Sequence, residues 1–491
     1  DPAGAYDNGS FAVGVNVYGL LFSAPVGSAN VEPDLAESGE FTSPTEFTVQ
    51  LKDDLKFANG NDLTSSDVKF SFDRLFTIND SNGPMTLLAN LDHIDTPDER
   101  TVVFHLTEPH DQVFTQALSS PAGLIVDEEV FAADALTDAQ TIVDGRAFAG
   151  QYEIEHFELN NLVRYVPNAN YGGARGQVEN SGVNVTYYAE PANMKLDIQQ
   201  GNIDVAYRSL SATDIADLKE HDDVEVIEGP GGEIRYLVFN FDTQPFGAAQ
   251  ADADPEKALA VRAAIADILD RDALASQVYK DTYAPLYSFV PTGLDGAATP
   301  LKDAYGDGAG GPDVARAKQR LADAQIDTPV TLHLQYSPEH YGPQSGDEYA
   351  MIKSQLEADG LFSVDLQSTE WVQYAKERAE DVYPAYQLGW FPSYSDADNY
   401  LTPFFRNDNF LANHYRDDDI DAMIRKQASE TDAQARIALT EQIQTEVAKA
   451  LPTLPYLQGR QLAVVQRGVD GVNLDPSNKF FYATLTKTDT K

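Results

Sequence analysis

Two hydrophobic periodicities alternate along this chain, and the switch between them is clearest from position 46 to 75. Phe47, Val49 and Leu51 alternate with Thr48, Gln50 and Lys52, the period-two pattern of a strand with one buried face. Asp53 and Asp54 interrupt it, 55–57 resume it briefly, and Asn59-Gly60-Asn61 reads as a turn. Thr64-Ser65-Ser66-Asp67 then opens a helix in the manner of a capping box, with Val68, Phe72 and Leu75 on one side.

The pattern continues in that style. The apolar run 11–22, broken by Gly14 and Gly19, reads as a short strand or helix beside a tight loop. Segments 92–95 and 101–106 read as a turn-linked strand pair; within it neither His93 nor His105 sits at metal-ligand spacing with another His, so both are expected to be structural. From 183 to 207 the order is strand, helix, strand, with Met194, Ile198 and Ile203 apolar. Segment 233–241 is a further strand, followed by a polar, Asp- and Ala-rich linker over 242–254. Asp254-Pro255-Glu256 starts a helix with an N-cap, a proline at the first position and an acid in the first turn. Val261, Ile265 and Leu269 give it an apolar stripe. Strands at 330–335 and 362–366 flank a helix over 347–358, and a long helix covers 431–450.

Several stretches are similar to one known family. The wording of 35–75, LAESGEFTSPTEFTVQLKDDLKFANGNDLTSSDVKFSFDRL, resembles the signature region of the family 5 extracellular solute-binding proteins, the peptide and oligosaccharide receptors of ABC importers. Segments 153–173, 183–207, 233–241, 254–271, 387–405 and 451–472 extend the resemblance in the family's order. There are departures: Phe157 stands where the family usually has Trp, and the second aromatic before Gly172-Gly173 is missing. In QLGWFPSYSDADNYLTPFF (387–405), Ser393 occupies the position of the acid that meets a peptide's ammonium in the family's "G-W-x-A-D-Y". An ammonium buried without a partner is costly, so Ser393 weakens the choice of peptide. Asp396 and Asp398 align with the later "D-P-D", a turn and capping feature that makes Asp398 structural.

The resemblance implies an α/β, two-lobed periplasmic-binding-protein-like fold, of the class with an extra subdomain, with its ligand cleft between the lobes. The first lobe is expected at 1–30, 150–245 and 462–491, an inserted subdomain at 31–149 and the second lobe at 246–461. Hinge crossings are expected at 242–254 and 459–463. Ligand contacts are expected from Tyr18, Arg235, Tyr236, Trp371, Trp390, Ser393, Tyr394 and Asp396. The aromatics among them would stack on ligand, and Arg235 would pair with a carboxylate.

Composition changes this picture in few places. A chain of 491 residues needs more than one core. Its formal net charge of −44 repels phosphate backbones and makes nucleic acid an improbable partner. No Cys is present, which excludes disulfides, thiolate metal sites and Cys nucleophiles. The start at Asp1, without a signal peptide, fits a mature protein outside the cytoplasmic membrane, periplasmic or lipid-anchored. GDGAGG at 306–311 lacks a preceding strand and a following Lys, which makes it a surface loop and no phosphate cradle. Asp417-Asp418-Asp419 lacks the EF-hand spacing and reads as a helix start. No G-x-S-x-G, H-E-x-x-H, Walker or Rossmann pattern occurs. The expected function is therefore a non-enzymatic, monomeric receptor with no cofactor or metal. It captures a small ligand, foremost a peptide, by lobe closure and delivers it to an ABC permease. An oligosaccharide or metal-chelate receptor is the alternative, and a secreted hydrolase a remote one.

Overall fold

The computed structural model describes residues 1–25, 30–474 and 479–488. The chain forms two compact units. Unit 1 comprises 1–229, 393–396 and 461–491, and unit 2 comprises 230–392 and 397–460. The chain passes between units at Arg460/Gln461, inside the expected 459–463 segment, and at Gly229/Pro230, ahead of the expected 242–254 linker. The linker itself falls inside unit 2. There the Asn240 side chain accepts from the backbone N–H groups of Asp242 and Thr243, which fixes the turn, and Asp254 caps the next helix.

In unit 1 the opening strand-to-helix switch forms as its pattern dictates. Glu46–Leu51 is a strand whose alternate residues are buried. Thr64 and Asp67 form a reciprocal capping box on the helix Ser65–Ile78, satisfying backbone donors that a bare helix start would leave orphaned. Four antiparallel strands lie in the order Ala36–Ser43, Glu46–Leu51, Thr101–Leu106, Leu91–Asp98, which leaves Leu91–Asp98 on an edge. One face of this sheet buries Phe47, Val49, Val102 and Phe104 in a core shared with Val68, Phe72 and Leu75 of the helix. Phe72 and Phe104 meet edge to face at 5.3 Å. Burying each such side chain contributes about 1.5–3 kcal/mol, so this layer holds the helix without help from propensity. The 11–22 run resolves into a helix, Asn8–Val17, capped by Asp7. Tyr152–Glu158, Leu162–Pro167 and Val183–Thr186 make a three-stranded sheet. The strand–helix–strand reading of 183–207 is met by Val183–Thr186, Pro191–Gln200 and Val205–Tyr207.

Unit 2 is built on a mixed sheet. Phe362–Ser368 pairs in parallel with Val330–Tyr336, which pairs in parallel with Ala385–Trp390. Ala385–Trp390 runs antiparallel to the 234–239 part of the long strand Val224–Phe239. Tyr283–Pro285 adds to the 457–459 part of Thr453–Gln466. The helices Pro255–Ile268 and Ser345–Glu357 bury Val261, Ile265, Tyr349 and Ile352 against Leu237, Phe239 and Leu332 of the sheet. Asp254 caps the first of these helices, accepting from the N–H groups of Glu256 and Lys257.

Two loops behave as their composition demands. Asp307 takes up the amides of GDGAGG itself, accepting from Ala309 N at 2.7 Å and Gly311 N at 3.0 Å, so the loop points no free cradle at an anion. Asp417 caps Asp418–Ser429 by accepting from the N–H groups of Asp419 and Ile420.

Candidate functional site

Arg235 and Tyr236 are neighbours on a strand, so they leave opposite faces of the unit 2 sheet. Arg235 pairs with Gly389 and Tyr236 with Leu388. On the Arg235 face, a Cβ at Gly389 would lie 2.9 Å from the Tyr341 ring, and the bare glycine is what lets that ring lie there. The Arg235 guanidinium sits 4.9 Å from the Tyr341 ring centroid and 5.6 Å from that of Tyr283. Trp371, at the start of the helix Trp371–Ala379, meets Tyr341 edge-on at 5.5 Å and stacks on His340 at 3.5 Å. Arg235 and Trp371 are thus joined through Tyr341.

The Arg235 side chain is buried, and its polar contacts all run through Nη2. That nitrogen lies 2.7 Å from Glu233 Oε1, and donates to the Tyr341 carbonyl at 2.7 Å and to Tyr283 Oη at 3.0 Å. The Tyr283 hydroxyl in turn donates to Glu233 at 2.8 Å. Nε and Nη1 are buried and have no hydrogen-bond partner among the described residues. Burial alone would lower this guanidinium's pKa, but the Glu233 carboxylate and neighbouring Tyr283 outweigh it and hold the charge firmly in place. Behind it lies Glu348, fully buried, which accepts from the hydroxyls of Tyr279 and Tyr456. Burial raises the Glu348 pKa, against the pull of Arg235. Burial likewise lowers His340, with the positive charge of Arg235 adding to it.

Tyr236 and Trp390 belong to the other face. The Tyr236 ring packs on Phe289 at 4.6 Å and Phe404 at 5.9 Å, and its buried hydroxyl has no partner among the described residues. Trp390 meets Phe404 edge-on at 5.0 Å and donates Nε1–H to Asn399 at 3.0 Å. Asp398 is buried and accepts from the side chains of Thr402 and Gln427, a structural role without a helix cap.

In unit 1, Tyr18 is buried at the end of the Asn8–Val17 helix, its ring against Phe131 at 6.2 Å and Phe148 at 5.9 Å. Its surface is taken up by packing, which leaves none for a ligand. The Ser393 hydroxyl shares a hydrogen bond with that of Tyr6, and Tyr394 and Asp396 beside it are half-buried. The structure therefore brings together Arg235 with Trp371, sets Tyr236 and Trp390 on the reverse of the same sheet, and puts Tyr18 and the 393–396 group in the other unit.

Glu233, Tyr283, Tyr341, His340 and Glu348 carry no site expectation in the sequence. Only Glu233 had a signal, since a residue two before Arg235 on a strand shares its face; the others reach it through long-range pairing.

The model of the bacterial extracellular solute-binding proteins, family 5 (middle), matches residues 30–411. The chain belongs to this family. The probable D,D-dipeptide-binding periplasmic protein DdpA of Escherichia coli is 26% identical over 97% of this chain and 89% of its own length. The dipeptide-binding protein of the same organism is 23% identical over 97% of this chain and 90% of its own. Among solved structures, HbpA2 from Haemophilus parasuis superposes with a TM-score of 0.84 at 20% identity, covering 99% of this chain and 97% of that one, which shows a common periplasmic-binding fold. The family 5 signature read at 35–75 lies within the matched region. Relatives of this kind are binding proteins, and among the described residues no helix is long and apolar enough to cross a membrane.

Proposed function

We propose that this family 5 protein receives peptide-like ligands bearing a free carboxylate, and that Arg235 is the residue that meets it. The carrying observation is the pair of buried, unpartnered donors, Nε and Nη1, on a guanidinium already fixed by Glu233. Nε–H and Nη1–H lie on opposite sides of the guanidinium, so a carboxylate is met through single charge-assisted hydrogen bonds from one or the other of them. The faces of Tyr341 and Trp371 beside it suit the apolar or planar parts of a peptide. The names of the dipeptide-binding relatives support the same ligand class. The role is capture and hand-over to an ABC permease outside the cytoplasmic membrane, as a monomer and with the ligand returned unchanged.

One observation favours a second reading. Ser393 gives its position a hydroxyl shared with Tyr6, with no carboxylate for an ammonium, which suits a ligand that carries a carboxylate but no free α-amine. Native mass spectrometry decides between them. The protein is measured as purified, then after unfolding and refolding to strip any passenger, then with added short peptides. The expected result is a set of peptide adducts lost on stripping and restored by peptides, with C-terminally amidated peptides at least tenfold weaker. Adducts formed by N-acetylated peptides alone would favour the second reading. A protein that ignores peptides and shifts mass with an oligosaccharide or a metal chelate overturns both.

A further inference from the structure

Twelve positions separate His93 from His105 along the chain, and strand pairing removes the separation. The edge strand Leu91–Asp98 pairs with Thr101–Leu106 so that His93 lies directly opposite His105. Their imidazoles stack at 4.1 Å with only 5° between the ring planes. Asp95, two residues beyond His93, shares the His93 face of its strand, and its carboxylate reaches His105 Nε2 at 3.2 Å. Glu46, on the next strand inward, is paired with His105 and lies 3.7 Å from its Nδ1. The reverse of this sheet is the apolar layer of Phe47, Val102 and Phe104 described above, so the backbone beneath the cluster is held rigidly.

From this arrangement we propose a divalent transition-metal site on the inserted subdomain, formed by His93, Asp95 and His105. One ligand atom from each of the three lies within 4.8 Å of the others. Tetrahedral binding at about 2.0–2.2 Å per ligand brings such atoms to roughly 3.5 Å apart. Because imidazole lone pairs lie in the ring plane, the two rings must swing out of their parallel stack to share one ion, a movement that the exposed His93 on the edge strand can make. His93 is already oriented: its Nδ1 is engaged by Asp92 at 2.7 Å, the carboxylate–histidine arrangement that fixes the tautomer and leaves Nε2 for metal. Two imidazoles and one carboxylate select a borderline ion such as Zn²⁺, Ni²⁺ or Cu²⁺ over Ca²⁺ or Mg²⁺, which take oxygen ligands. Water completes the fourth position. The net charge of −44 raises the local concentration of any cation near this face. This site is independent of the ligand assigned to Arg235.

Calorimetric titration of chelator-treated, tag-free protein with ZnCl2 tests it. One Zn²⁺ per chain is expected, with a micromolar dissociation constant, weakened at least tenfold by His93→Ala and by His105→Ala and several-fold by Asp95→Asn. His333→Ala, which alters an exposed His–Asp pair elsewhere, leaves binding unchanged. Substituting Co²⁺ is expected to give the visible absorption of a tetrahedral nitrogen–oxygen site, absent from the His93→Ala/His105→Ala double variant. Zn²⁺ affinity that survives in the double variant, or CaCl2 binding as tight as ZnCl2, overturns the proposal.

Discussion

Arg74 in unit 1 and Arg235 in unit 2 are both buried guanidiniums, and they are satisfied in opposite ways. Arg74 donates Nη1 and Nη2 to the two oxygens of Asp1 at 2.8 Å each, Nε to the Ala132 carbonyl at 3.1 Å and Nη2 again to the Ala135 carbonyl at 3.1 Å. All three of its nitrogens are used, in a closed bidentate pair that ties the helix Ser65–Ile78 to distant chain. Arg235 gathers Glu233, Tyr283 and Tyr341 around one nitrogen and leaves two without partners among the described residues. A buried donor left unsatisfied carries a penalty of about 1–3 kcal/mol, and Arg235 carries two. On the function proposed above, the difference separates an arginine that holds the fold from one whose open donors await a ligand.

The comparison breaks most readily at Arg74. Arg74→Met strands the Asp1 carboxylate in the core, and a loss of about 3–5 kcal/mol of stability is expected in denaturant titration, with ligand affinity unchanged in whatever remains folded. A large fall in affinity per folded molecule would show that the two arginines are not functionally distinct. Arg235→Lys should behave inversely. It keeps the charge beside Glu233 but removes the two unpartnered donors, so affinity for a free-carboxylate peptide should drop about ten- to a hundredfold. Its unfolding midpoint should move little; equal losses in both measurements would reduce Arg235 to another Arg74.

Glu348, behind Arg235, sharpens the contrast through pH. Its folded pKa is raised by burial, so the folded state holds a proton that the unfolded chain releases near pH 4.3. Stability should therefore fall as pH climbs from about 4.3 through the folded value, by at most about 1.4 kcal/mol per pH unit for one proton. Glu348→Gln should flatten that slope in unfolding curves taken across this range. An unchanged slope would assign the pH dependence to other groups. The smallest effect is expected from Gly389→Ala. Its methyl would press on the Tyr341 ring, tilting it away from Arg235, and a few-fold loss of affinity measured by titration calorimetry is the expected readout.

Much of the fold was legible because its signals are local. The capping box at Thr64 and Asp67, the alternation of 46–51 and the Asp254-Pro255 helix start each depend on residues a few positions apart, and each forms as read. The candidate site was less legible because its contacts are not local. Tyr283, Tyr341 and Glu348 reach Arg235 only after the sheet is assembled, and no period in the sequence announces them. Arg235 and Tyr236 are consecutive on a strand, so they face opposite ways, a rule the sequence does carry. Tyr18 sits in a segment whose pattern fits core and contact equally, and only packing assigns it to core. His93 and His105 show the same limit: their spacing in sequence says nothing of a cross-strand pair.

The strand Leu91–Asp98 has one more consequence, for how this protein behaves when crowded. An edge strand offers unpaired backbone groups on which another chain can grow a sheet. Here the edge carries Asp92, Asp95 and Asp98 among its outward residues, Pro97 supplies no N–H, and the pairing shifts register between Asp95 and Asp98. An incoming strand would meet three negative charges, a missing donor and an irregular template. The border of the sheet is thereby closed to copies of itself, which favours a protein that stays dispersed at high concentration.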